Sequence, residues 1–101
     1  MEFSGKKVTV VGTGISGIGA VGLLNAVGAE VVLYDGNEKL KIEDIEKKLG
    51  TYKAEIVLGE LTKELTDSSD LLVISPGVPI DSPVVKAFEA AGVPVWGEVE
   101  L

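Results

Sequence analysis

The sequence predicts an α/β domain on a five-stranded parallel sheet of order 3-2-1-4-5. Three observations predict it. Short β-branched runs alternate along the chain with segments of helical periodicity, the mark of repeated strand–helix crossovers. Those runs are apolar without a polar alternation, as strands covered on both faces are. Most of them stop at glycine, proline or aspartate, which punctuate turns. Right-handed crossovers then favour this strand order, with the central switch point between the first and fourth strands. The 101 residues make one domain, residues 1–101, by the length prior.

The elements follow in order. Lys7–Gly12 (KVTVVG) is a strand that stops at glycine. Ile15–Val27 is a helix with two apolar rows, Ile18, Val21, Leu24 and Ala20, Leu23, Val27, and Gly28 sits at its C′ position. Gly19 and Gly22 inside it point to close packing on the sheet, since each weakens a helix by about 1 kcal/mol against Ala. Glu30–Tyr34 is the second strand, ending at the turn cluster Asp35-Gly36-Asn37. Leu40–Leu49 is an amphipathic helix on Leu40, Ile42, Ile45 and Leu49, closed by Gly50, with Lys39, Lys41, Lys47 and Lys48 on a solvated face. Glu55–Leu58 is the third strand, and Leu61–Leu65 makes at most one helical turn. Leu71–Ile74 is the fourth strand, leaving through Ser75-Pro76-Gly77. Ser82-Pro83 starts a helix with a hydroxyl N-cap and Pro at N1. Val84, Val85, Phe88 and Ala91 line its buried stripe, and Val95-Trp96 begins the last strand.

Composition removes whole classes of chemistry. There is no Cys and no His, so thiolate and imidazole metal sites, Cys nucleophiles and Ser–His triads are excluded. All nine cations are lysines, so no guanidinium clamp on a phosphate comes from this chain. The net charge of −7 opposes nucleic acid or an anionic membrane as partner. No metal site and no catalytic residue is expected; the composition favours binding. The start of the chain is no signal peptide and no apolar run approaches a membrane span, so the expected location is cytoplasmic. The abrupt apolar ending at Val99–Leu101 points to a cut from a longer protein.

Gly12-Thr13-Gly14-Ile15-Ser16-Gly17 fits G-x-G-x-x-G, between a strand and a helix. In that context Gly12 permits the tight turn, Gly14 lets backbone approach an anion, and Gly17 lets the helix pack close to the sheet. The helix N-terminus adds open N–H groups and a positive dipole end. Asp35 ends the second strand, where the dinucleotide pattern puts an acid on a ribose hydroxyl. The plainer reading is a tight turn without ligand, with Asp35 a turn residue. Ser75-Pro76-Gly77-Val78-Pro79 leaves the strand across the switch point. It completes the pocket through the Ser75 hydroxyl and the Gly77 N–H, or is simply a well-made connection. Glu98 and Glu100, two apart, do not form a catalytic pair on a helix face.

Four segments in this order, Val8–Gly17, Val31–Asp35 (V-x-x-Y-D), Ser75–Pro79 (S-P-G-V-P) and Gly97–Leu101 (G-E-V-E-L), resemble the N-terminal domain of the Mur ligases. The likeness is strongest to the branch that adds D-glutamate in peptidoglycan synthesis, and it covers nearly the whole chain. It implies a Rossmann-like three-layer domain that binds the UDP portion of UDP-N-acetylmuramoyl-L-alanine. By resemblance, backbone groups of Ile15 and Ser16, within Gly14–Gly17, face the diphosphate. Asp35 and Gly36 meet the uracil, and Gly77, with Ser75 and Pro76, closes the other side. ATP and Mg²⁺ belong to a central ATPase domain of the parent chain. No G-x-x-x-x-G-K-[ST] loop for them occurs here, so the fragment alone is expected to be non-catalytic. Two other readings stay open: the NAD-binding domain of a dehydrogenase, which Asp35 permits, and a stand-alone regulatory nucleotide-binding module.

Overall fold

A computed structural model describes residues 2–98. Nine elements alternate: β1 Lys7–Val11, α1 Ile15–Ala26, β2 Glu30–Asp35, α2 Ile42–Leu49, β3 Glu55–Leu58, α3 Lys63–Ser68, β4 Leu71–Ile74, α4 Pro83–Ala90 and β5 Val95–Gly97. All pairings are parallel, in the order β3-β2-β1-β4-β5. The expected fold class and strand order are therefore observed.

The alternation of side chains along each strand builds two cores, one on each sheet face. Val8 and Val10 of β1, Val31 and Leu33 of β2, and Leu71 and Val73 of β4 pack under α1 and α2. Val11, Val32, Tyr34, Leu72 and Ile74 point the other way, under Leu65 of α3 and Val85 and Phe88 of α4. This explains the unbroken apolar runs, because both faces of each central strand are covered. Thr9, fully buried in β1, is satisfied by a hydroxyl chain. Its Oγ1 lies 2.7 Å from Ser69 Oγ, whose own proton goes to the Leu65 carbonyl at 2.7 Å, so Thr9 is the donor to Ser69.

Several local expectations are corrected. In α1 the buried face is Gly17, Ala20, Val21 and Leu24; Leu23 and Val27 are exposed, because one helix side reaches the sheet and the second row looks outward. A Cβ at Gly19 would meet nothing within 4 Å, and at Gly22 it would meet the Tyr52 ring at 2.6 Å. The two glycines therefore do not serve packing on the sheet. Helix α2 starts at Ile42, after a turn in which the Leu40 N–H reaches the Asn37 carbonyl; Ile42 itself is exposed. The expected turn at Leu61–Leu65 is instead the helix α3, capped by Thr62 Oγ1 on the Leu65 N–H at 3.3 Å. Ser82 holds the N-cap position of α4 with Pro83 behind it, but its hydroxyl makes no cap bond and is buried without a partner. Ala91 lies at the C-cap, exposed, where the chain leaves α4 and turns back towards β5. Residues 99–101, which carry Glu100 and the end of the G-E-V-E-L match, lie outside the described residues.

Candidate functional site

The site lies at the carboxyl ends of β1, β2 and β4. Gly12 ends β1 with φ +109°, a backbone state that L side chains avoid. Its N–H completes the β1–β2 ladder on the Tyr34 carbonyl at 2.9 Å. A Cβ on Gly12 would also stand 3.0 Å from Ser75 Oγ. Behind the loop, a Cβ on Gly17 would fall 1.9 Å from the Gly12 carbonyl oxygen. The loop is thus closed tightly onto the first turn of α1, and only glycine allows it.

That closure leaves the helix start open. Gly14 is the N-cap and offers no side chain, and no acid lies in the first turn. The first intrahelical bond runs from the Ile18 N–H to the Gly14 carbonyl. The N–H groups of Ile15, Ser16 and Gly17 precede it and have no intrahelical acceptor. They carry the positive end of the helix dipole, a ready site for an anion. A Cβ at Gly14 would meet nothing within 4 Å, so the approach to these groups is clear.

Asp35 stands at the end of β2, half-buried. Its Oδ2 accepts from the Thr13 hydroxyl at 3.0 Å and its Oδ1 from the Asn37 N–H at 3.0 Å. The sequence reading did not single out Thr13. Its signal was faint: a hydroxyl between the first two glycines of the loop, with its partner 22 residues away. Beside Asp35, the buried Tyr34 hydroxyl donates to the Gly59 carbonyl. Burial first, and then the Asp35 and Glu60 carboxylates, raise the Tyr34 phenol above its usual pKa of 10.0, so it is a neutral donor that ties β2 to the loop after β3.

On the opposite wall, Ser75 Oγ donates to the Val11 carbonyl at 3.1 Å, and the Val78 N–H returns to the Ser75 carbonyl at 2.9 Å. The Ser75 proton is therefore spent on joining β4 to β1, leaving lone pairs towards the cleft. Gly77 stands open beside it.

These parts line one open cleft of about 450 Å³ that brings together Gly14, Ile15, Ser16, Asp35, Ser75, Pro76 and Gly77. Two expected site residues are placed otherwise. Gly17 is buried under the loop, and Gly36 is exposed past the rim, outside the lining. Lys48 of α2 borders an adjoining groove with Gly14, Ile15 and Ile18, which brings a cation beside the glycine loop. The arrangement can hold an anion on backbone N–H groups and, at Asp35, accept hydrogen bonds from a donor group. Among the described residues no cluster of acids is placed to hold a metal ion.

Residues 6–97 match the family model described as Mur ligase MurD-like, N-terminal domain. The whole chain is 62% identical to the UDP-N-acetylmuramoylalanine–D-glutamate ligase of Lachnospira eligens and 52% identical to that of Lachnoclostridium phytofermentans. In each case it spans 22% of the relative's length. Among solved structures, shikimate dehydrogenase from Aquifex aeolicus superposes with a TM-score of 0.67 at 16% identity, over 97% of this chain and 44% of that one; at that identity the likeness is one of Rossmann-like fold alone. A match over the whole of this chain to close relatives, the family model and the cleft between β1 and β4 agree: the chain belongs to the MurD-like family of Mur ligase N-terminal domains.

Proposed function

We propose that this chain binds the UDP portion of UDP-N-acetylmuramoyl-L-alanine for an ATP-dependent ligase that adds D-glutamate in peptidoglycan synthesis. The observation that carries the reading is one cleft holding both an open helix N-terminus and a tethered carboxylate. The open N–H groups of Ile15 and Ser16, with that of Gly17 behind them, suit the diphosphate. Asp35 can only accept hydrogen bonds, so it suits the uracil N3–H or a ribose hydroxyl. Ser75, Pro76 and Gly77 close the far wall, and Gly36 reaches the base from the rim.

Residues 1–101 are, in this reading, the first domain of a three-domain parent whose central ATPase domain is its partner. In this reading ATP and Mg²⁺ belong to that central domain, since this sequence has no Walker-type loop, and the fragment alone is expected to form no amide bond. A cytoplasmic location goes with this function. No helix among the described residues is long and apolar enough to cross a membrane.

Asp35 at the end of β2 also suits a ribose hydroxyl of NAD, and that is the competing reading. Calorimetric titration of the chain with UDP, UDP-N-acetylmuramoyl-L-alanine and NAD⁺ decides between them. Uridine species are expected to bind, the muramoyl derivative at least as tightly as UDP. Binding of NAD⁺ with no response to either uridine compound would overturn the proposal.

A further inference from the structure

We propose that Thr13 is a positioning residue, whose hydroxyl holds the Asp35 carboxylate on the β2 side of the cleft, facing the base of the ligand and away from the open N–H groups of α1. This rests on the uridine reading above. A carboxylate next to an uncapped helix start has an obvious alternative partner, because aspartate caps helices well and the dipole favours it there. Asp35 does not take that place: no side chain caps α1. Both of its oxygens are engaged elsewhere, Oδ2 by Thr13 and Oδ1 by Asn37.

The two bonds differ in kind. The Asn37 bond is a local turn contact, two residues along the chain, that an aspartate makes in many turns. The Thr13 bond joins the glycine loop to a different strand. Thr13 is only 7% exposed, so its hydroxyl has little access to water. Its β-branched side chain is restricted at χ1, which limits how far the hydroxyl can swing. A carboxylate offers about four lone-pair sites, so each oxygen keeps a free one for the ligand after these two bonds. The result is an acceptor of fixed direction, and a helix start that Asp35 leaves uncapped.

The test uses the 101-residue chain, in wild type and as Thr13→Val, Thr13→Ser, Asp35→Ala and Thr13→Val/Asp35→Ala. Each is titrated with UDP and with pyrophosphate, beside a melting curve. Thr13→Val keeps the shape and removes the donor. It is expected to weaken UDP about 3–10-fold, the scale of one ordinary hydrogen bond, and to leave pyrophosphate unchanged. Thr13→Ser restores the donor and is expected to restore UDP affinity. In the Asp35→Ala background, Thr13→Val should have no further effect on UDP, since the group it positions is gone. If Thr13→Val does not fold, Thr13→Ala, which removes the same donor with less bulk, takes its place. Unchanged UDP affinity in the donor-less variant, equal losses for UDP and pyrophosphate, or a loss that persists without Asp35 would overturn the positioning role. Failure of the wild type to bind UDP would instead remove the uridine reading itself, and this inference with it, before any variant is compared.

Discussion

Three glycines of α1 have different surroundings, and alanine at each should have a different sign. Gly19 is exposed and a Cβ there meets nothing within 4 Å. Its backbone is ordinary helix, so Gly19→Ala removes only the entropic disadvantage of glycine and should stabilise by about 0.5–1 kcal/mol. For a domain of this size that is a rise in Tm of about 2–8 °C. At Gly22 the same gain is opposed by the Tyr52 ring, 2.6 Å from the new Cβ. Tyr52 is 45% exposed and its ring can turn aside, so the net change should lie within about 0.5 kcal/mol of zero. At Gly17 the obstacle is backbone, the Gly12 carbonyl oxygen at 1.9 Å and its carbon at 2.9 Å. That contact cannot relax without opening the loop. Overpacking of this kind costs about 1–3 kcal/mol, and Gly17→Ala should fall in or above that range. Urea or thermal unfolding of the three variants, followed by circular dichroism, measures all of this in one series. A Gly17→Ala variant as stable as wild type, or a Gly19→Ala variant less stable, would refute the reasoning.

How much of this was legible in the sequence depends on the range of the signal. Strands showed because β-branched runs are local, and the sheet order followed from crossover handedness. The glycine loop showed because its spacing and its place between β1 and α1 lie within six residues. Helix α3 was only half visible: among its six residues Leu65 is the buried apolar one, too few for a periodic stripe. The faces of α1 are not legible in the sequence because its residues are almost all apolar or glycine, so periodicity does not tell the row that meets the sheet from Leu23 and Val27, which do not. The side-chain pairs were the least legible part. Thr13 with Asp35 and Ser75 with Val11 join residues 22 and 64 positions apart, and a single sequence does not carry such pairings. The same distance hid the partner of Gly22, since Tyr52 lies on the loop after α2.

Other expected outcomes follow from the same geometry. Gly14→Val should fold, because the position is unobstructed, yet weaken UDP more than Ser16→Ala, which removes one hydroxyl and should cost at most about 1–1.5 kcal/mol; equal losses by calorimetry would contradict a backbone-built anion site. Asn25→Ala should destabilise by about 1–2 kcal/mol, because the Asn25 side chain both accepts from the Lys53 N–H at 2.6 Å and donates to the Lys53 carbonyl at 2.9 Å; an unchanged urea midpoint would remove that clip from the account of stability. The Tyr34 phenol is raised in the folded chain by burial and by the Asp35 and Glu60 carboxylates. A group whose folded pKa exceeds its unfolded value stabilises fully below the unfolded value, here near 10, and that contribution is lost as pH rises beyond it towards the folded pKa. Folding should therefore weaken above pH 10, as the unfolded chain releases a proton that the folded chain retains. Tyr34→Phe keeps the ring and removes both the proton and the bond to Gly59. It should be less stable than wild type at pH 7, and the gap should shrink between pH 10 and 11. A gap that stays constant across that interval would show that Tyr34 ionises equally easily in both states, and that its burial beside Asp35 exerts no hold on its proton.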